Sequence, residues 1–413
     1  MSARSKKTKL PREERQSVVP AKAGTHFGEL GLRPRILLGA VLLSAAAASA
    51  FAAPPANTMF IDQWSRMDEF NAARGVKKPA APRELKRAQS KQLDLLVDGF
   101  LDAHPNTGLL ILKGNTILAE RYQYGRTDGH RFASASVAKT VLGMLVGIAV
   151  HEKKLSLDDR AEQYVPALKG HPYGDTSIRD LLTMSSGIRF TENYSGRDDG
   201  SKLVANTLRQ QTQGGADTVL EFKQREAPAG TRFHYASADS QVLGLVLTAA
   251  VREPLSTYLS EKIWQPMGAE ANATWLLDKG GYETGYCCIN ATLRDYARFG
   301  MLLANYGALD GKQIIPADWV KAATTAQAPH LRAGVATANN GYGYQTWTTR
   351  TRHPREGGDR FAALGIHGQA IFIDPVSKLV VVHTAAWSDP TDRSERGAQF
   401  KLLEAIFAKL DNQ

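Results

Sequence analysis

Apolar and polar positions along the chain fall into a few distinct patterns, and each predicts a different element. From Leu85 to Leu101 the apolar residues Leu85, Leu93, Leu96, Phe100 and Leu101 stand near helical spacing, so this segment reads as an amphipathic helix. Two strand-like runs follow, Gly108 to Leu112 and Ile117 to Tyr122, split by Lys113-Gly114-Asn115, which is the signature of a hairpin. Val141 to Val150 is almost wholly apolar and suits a helix buried on all sides. Helical patterns, including one from Asp239 through Val251, dominate from about residue 136 to about residue 325. Strands return at Ala370 to Ile373 and Leu379 to His383 around an Asp374-Pro375 turn, and Arg396 to Leu410 closes as a helix. The basic, Gly- and Pro-containing stretch Arg350 to Arg360 cannot continue a sheet interior and is expected as an exposed loop. The predicted fold is α/β (α+β): an antiparallel sheet formed from both chain ends, flanked by helices, with an inserted, mostly helical lobe.

The N-terminal region follows another logic. Ile36 to Ala53 is nearly all Ile, Leu, Val, Ala and Gly, is preceded by Arg33 and Arg35, and ends in overlapping small-x-small sites at Ala48-Ser49-Ala50 and Ala50-Phe51-Ala52. That order predicts a secretory signal cleaved near Ala50 to Ala53, and hence a periplasmic or secreted protein. The apolar stretch is too short for a bilayer span and Pro54-Pro55 stops the helix, so no integral membrane anchor is expected after cleavage. The organisation is then a leader over residues 1–53, an N-terminal arm over 54–84, and one domain over 85–413 whose helical lobe covers about 136–325.

Charge and cysteine content narrow the chemistry. The chain of 413 residues carries a formal charge of +10, but residues 1–53 hold nine basic and three acidic residues, leaving only about +4 for the remainder. Such a small surplus argues against a nucleic-acid partner. The two cysteines, Cys287 and Cys288, are adjacent, and neighbours close a disulfide only through a strained small ring, so export does not imply a stapled fold. Two thiols are also too few for a structural zinc site and no His-Glu-x-x-His run occurs, so neither a metal nor another cofactor is expected.

Three separated segments carry candidate chemistry. Ser136-Val137-Ala138-Lys139 opens the long apolar run, which puts Lys139 one helical turn from Ser136 on the same face. A serine in that first turn also feels the positive end of the helix dipole, where a developing oxyanion is favoured. The spacing by itself is expected by chance in a chain with this many serines and lysines, so its companions matter. Tyr235-Ala236-Ser237 lies on a loop running into the Asp239 helix, and Gly365-Ile366-His367-Gly368-Gln369-Ala370 leads into a strand.

A serine at a helix start, a Tyr-x-Ser loop and a Gly-containing strand entry, in this order, resemble the serine β-lactamase and penicillin-binding-protein superfamily. The likeness is to its class C-like branch, which includes 6-aminohexanoate-dimer hydrolases and related esterases. Supporting segments are Leu181 to Ile188 (LLTMSSGI), Ile263 to Gly268 (IWQPMG) and Ala291 to Gly300 (ATLRDYARFG), and the resemblance spans roughly residues 85–410. It implies a catalytic set of Ser136, Lys139 and Tyr235, in which the serine forms an acyl-enzyme and the ammonium of Lys139 lowers the Tyr235 pKa so that the phenol relays protons. It implies an oxyanion hole from the N–H groups of Ser136 and Ala370, the latter placed by counting with Gln369 as the alternative. Ser237 and the motif His367-Gly368-Gln369 are implied to contact substrate, and Tyr194, in Phe190-Thr191-Glu192-Asn193-Tyr194, resembles a tyrosine that closes over the amide in the dimer hydrolases.

Two departures bear on substrate. His367 stands where the branch has lysine or histidine, and an imidazole holds a carboxylate less firmly than an always-charged lysine. Ser237 replaces the asparagine of class C β-lactamases. The expected substrate is therefore a small amide or ester. A β-lactam or D-Ala-D-Ala peptide is the alternative, and a non-catalytic envelope protein binding a peptide or muropeptide is the alternative of another class. No Gly-x-Ser-x-Gly elbow supports an α/β-hydrolase.

Overall fold

A computed structural model of the protein describes residues 58–352 and 359–410. The leader, its cleavage sites and residues 54–57 lie outside the described residues. In chain order the elements used below are α1 (Thr58–Ser65), β1 (Ala73–Val76), β2 (Lys86–Arg87), α2 (Lys91–Ala103), β3 (Asn106–Lys113), β4 (Thr116–Tyr122), β5 (Phe132–Ala133), α3 (Val137–His151) and α4 (Ser237–Val251). They continue with β6 (Ala273–Leu276), β7 (Ile289–Ala291), α5 (Leu293–Ala304), β8 (Asn340–Tyr342), β9 (Trp347–Arg352), β10 (Asp359–Leu364), β11 (Ala370–Asp374), β12 (Leu379–Ala385) and α6 (Arg393–Leu410).

The main sheet has eight strands in the order β8-β9-β10-β11-β12-β3-β4-β2, antiparallel throughout except for the β2–β4 pair. Its centre joins the two chain ends: β12 pairs with β3 from Leu379 opposite Lys113 to Thr384 opposite Gly108. Successive side chains on a strand point to opposite faces. Leu110 and Leu112 accordingly join Val380 and Val382 in the core shared with α3 and α5, whereas Leu109 and Ile111 join Val381 in a second core under α2 and α6. Helices on both faces explain why β3 and β12 are buried along almost their whole length despite being antiparallel. Gly300 lets α5 lie this close, since a Cβ there would meet Val380 Cγ1 at 2.5 Å.

The helical lobe is inserted between β5 and the later strands. Residues Val137 to Ala149 of α3 are all buried, as an all-round apolar helix must be, and α4 packs beside it. Two expectations are corrected and a third is filled in. The helix expected from Leu85 begins at Lys91, and Lys86 and Arg87 instead pair with Thr116 and Ile117. The arm expected over 54–84 has regular structure where it is described: it supplies α1, and β1, which joins β6, β7 and β5 in a second, four-stranded sheet. Strand pairing also takes in both ends of the expected 350–360 loop, residues 350–352 and 359–360, with Arg352 opposite Asp359 after a register shift. Residues 353–358 lie outside the described residues.

Candidate active site

Ser136 sits at the junction of the second sheet and the buried helix. β5 pairs with β7, and Ile289 is tied to Ser134 by two hydrogen bonds, Ser134 N–H to its carbonyl at 2.8 Å and its own N–H to Ser134 Oγ at 3.0 Å. Ala135 then adopts a left-handed conformation, φ +45°, which is costly for a residue with a Cβ and turns the chain sharply into α3. Ser136 caps the helix by position, yet its hydroxyl makes no capping bond and is left for other chemistry. The residue is partly exposed, while Lys139, one turn deeper, is 1% exposed.

The Lys139 ammonium is fully coordinated. Its Nζ donates to Ser136 Oγ at 2.9 Å, Ser237 Oγ at 3.1 Å and the Tyr286 carbonyl at 2.8 Å. Burial brings its pKa down to about 8, against the opposing pull of the Glu192 carboxylate. The Tyr235 ring lies with its centroid 5.0 Å from the same nitrogen and stacks on Trp347. Burial, reinforced by the charge of Glu192, holds this phenol above its ordinary range, and its hydrogen bond with Ser136 does not reverse that. The expectation that the ammonium lowers the Tyr235 pKa is thus corrected. The group poised near neutrality is the amine, because burial disfavours the charged form of each group and so lowers the ammonium while raising the phenol.

Glu192 is the residue that sequence reasoning missed. The loop after Phe190 brings its carboxylate onto the first residue of α4, where it accepts from the Ser237 N–H and from Ser237 Oγ, each at 2.7 Å. The Tyr194 hydroxyl donates to the same carboxylate at 2.8 Å, so Tyr194, Glu192 and Ser237 form one connected wall beside Ser136. No spacing rule marks a single acid in a polar loop; the available signal is its place two residues before Tyr194. Deeper in, Asp239 accepts from Ser186 Oγ and Tyr173 OH, and burial raises its pKa to about 7.

Two open limbs of a cleft meet at Ser136, Glu192 and Tyr194. The first is lined by Trp64, Met67, Val204, Leu208, Cys287 and Cys288, with Arg209 also on its wall; the second by Tyr235, Trp347 and Arg396. Cys287 and Cys288 do form a disulfide, which corrects the reading of them as two thiols. It staples no distant segments. Instead it stiffens the wall immediately after Tyr286, whose carbonyl holds Lys139.

The strand-entry motif is placed differently from expectation. Ala370 is buried in β11 between β10 and β12 and is not on either limb, and neither is Gln369, whose amide is spent on the carbonyls of His367 and Ala385. Gly368 is buried against Trp387, with φ +92°. Within this motif, Ile366 is the residue that lines both limbs. It opens a 3-10 turn, so its N–H has no acceptor within the turn. Among the described residues neither this N–H nor that of Ser136 has a hydrogen-bond partner. Counting fails here because the turn Ile366 to Gly368 separates the cleft from the strand that follows. His367 does reach the first limb, but its Nδ1 is engaged with the Trp387 carbonyl at 2.5 Å, Trp64 packs on its ring, and burial lowers its pKa. It is a neutral wall residue rather than an anchor for a carboxylate.

This fold, with a buried lysine against a helix-initiating serine, is that of the serine hydrolases of the β-lactamase and penicillin-binding-protein class. A family profile described as Beta-lactamase matches residues 93–405, and the chain belongs to that family. It is a serine hydrolase of the family, similar to 6-aminohexanoate-dimer hydrolase of Paenarthrobacter ureafaciens, with 28% identity over 316 residues, 73% of this chain and 78% of that one. Among solved structures, one described as a putative 6-aminohexanoate-dimer hydrolase from Bacillus anthracis superposes with a TM-score of 0.77 at 23% identity, covering 87% of this chain and 96% of its own. A penicillin-binding protein from Bacillus halodurans shares the fold, with a TM-score of 0.59 at 18% identity over 76% and 99% of the two chains.

Proposed function

We propose that the protein is an exported serine hydrolase that forms an acyl-enzyme on Ser136 and acts on a small amide or ester, in the manner of 6-aminohexanoate-dimer hydrolases and related esterases. The observation that carries this reading is the 2.9 Å bond between a fully buried lysine amine and the hydroxyl of a partly exposed, uncommitted serine. A neutral Lys139 donates two protons, to Tyr286 O and Ser237 Oγ, and turns its lone pair to Ser136. It takes the serine proton as Oγ attacks the carbonyl. The N–H groups of Ser136 and Ile366, at the positive end of α3, receive the oxyanion. Tyr235, on the wall of the second limb, passes a proton to the leaving group, and water then releases the acyl chain by the reverse route.

The apolar first limb suits an alkyl chain, and Arg209, exposed and without an ion-pair partner among the described residues, offers a cation to an acidic end. The neutral, engaged His367 supports amide or ester over a β-lactam anchored through its carboxylate. The apolar run over Ile36 to Ala53 with its small-x-small sites supports export.

A fluorophosphonate probe is expected to label Ser136 in the folded protein. A panel of a p-nitrophenyl short-chain ester, a 6-aminohexanoate dimer and a chromogenic cephalosporin then tests substrate class, with turnover expected on one of the first two. Turnover of the cephalosporin alone would overturn the substrate reading, and an unlabelled Ser136 would leave a binding protein.

A further inference from the structure

The hydrogen bonds around Lys139 pose a problem in proton accounting. As an ammonium the residue has all three protons bound and no lone pair, so it cannot accept the Ser136 proton until it loses one. It is wholly buried, and its proton-carrying neighbours are Ser136 itself and Ser237. Ser237 Oγ accepts from Lys139 and donates at 2.7 Å to Glu192 Oε1, and Glu192 is partly exposed along both limbs of the cleft.

We propose that Glu192 is the proton acceptor that readies the site, taking the surplus proton of Lys139 through Ser237 and exchanging it with solvent in the cleft. The inference rests on the proposed Ser136 chemistry. In the step, one Nζ–H bond of Lys139 breaks and its proton bonds to Ser237 Oγ, while the Ser237 hydroxyl proton moves to Glu192 Oε1. An ammonium and a carboxylate become an amine and a carboxylic acid, and Ser237 is unchanged. The Ser136 proton then passes to the freed lone pair as Oγ attacks. Glu192 thus acts through Lys139 and is a positioning residue for the proton, with no contact to substrate required.

Several titratable groups face this relay. Lys139 is approached by Glu192 and by the rings of Tyr235 and Tyr286. Glu192 is faced by Tyr194 on its own loop, by Tyr235, Tyr286 and Tyr342, and by Asp239 with its partner Tyr173. Those tyrosines are all held neutral by burial, whereas burial raises Asp239 to about 7, so it is a second group that changes charge near neutrality.

The test is the pH dependence of kcat and kcat/KM for ester hydrolysis in Glu192→Gln, Glu192→Asp and Ser237→Ala, after wild-type protein has been shown to label at Ser136. Glu192→Gln is expected to lower kcat by about 10- to 100-fold with KM little changed. It is also expected to move the acid limb down by roughly one pH unit, because the charge that favoured the ammonium is gone. The same shift should appear in an Asp239→Asn background. Glu192→Asp restores much of the rate. Ser237→Ala, which cuts the relay and keeps the charge, loses rate without that downward shift, and it carries the test alone should Glu192→Gln not fold. The Glu192→Gln/Ser237→Ala double variant is no slower than the worse single one. An unmoved acid limb in Glu192→Gln, additive losses in the double variant, or full rate in Ser237→Ala would overturn the relay. Failure of Ser136 labelling in wild-type protein would instead overturn the function on which it rests.

Discussion

The helix start at Ser136 and the turn at Gly365 to Gln369 face the same cleft, but they are built by opposite means. At the helix start, side chains carry the arrangement: a hydroxyl, a buried amine and, from α4, a second hydroxyl lie within hydrogen-bond reach. At the turn the side chains are spent elsewhere, His367 on Trp387 and Gln369 on two carbonyls, and what remains for the cleft is the backbone of Ile366. Residue type and spacing report the first kind of site. They are silent about the second, because any residue can supply an N–H.

Substitutions can sharpen or break this contrast. The largest effect belongs to Ser136→Ala, expected to reduce ester turnover by a factor on the order of 10⁴ or more with an unchanged thermal melt. Retained activity would remove the side-chain half of the comparison. Next is Ile366→Pro, which deletes one N–H at the first position of a short turn, where proline is tolerated. A loss of about 10²- to 10³-fold in kcat is expected. A variant as active as wild type would return the oxyanion assignment to another group.

A smaller effect comes from pH. Burial brings Lys139 down to about 8, and the proposed mechanism makes the neutral amine the reactive form, so kcat/KM should rise with pH through about 8 and fall toward acid. A rate flat from pH 6 to 9 would contradict an amine base. The smallest effect is expected of His367→Asn. Asparagine tolerates the left-handed φ of +55° at this position, and turnover should change less than about threefold, with a modest loss of melting temperature. A large drop in kcat there would restore the imidazole to the chemistry.

The same division explains what was legible in the fold. The apolar runs in β3, β12 and α3 and the hairpin at Lys113-Gly114-Asn115 show directly in the chain, since burial on both faces or all around a helix leaves a continuous hydrophobic record. β1 leaves none: Ala73 to Val76 become a strand because Ala273 to Leu276 offer them a partner 200 residues away. Ser136, Lys139, Tyr235 and Ser237 can be picked out because their order along the chain is itself a pattern. Glu192 cannot, for its role comes from where a polar loop lands on α4. The offset from Ala370 to Ile366 has a similar cause, a turn whose length no counting rule fixes.

The pairing of β3 with β12 also has a meaning for how the molecule is made. Leu109 and His383 are partners although more than half the chain lies between them. An emerging polypeptide must therefore carry the open flank of its first hairpin through synthesis of the whole helical lobe, and that flank is sealed only when the last strands arrive. Fragments cut short before Leu379 would leave an apolar strand edge exposed and should gather into aggregates, whereas loss of the final few residues spares the closure.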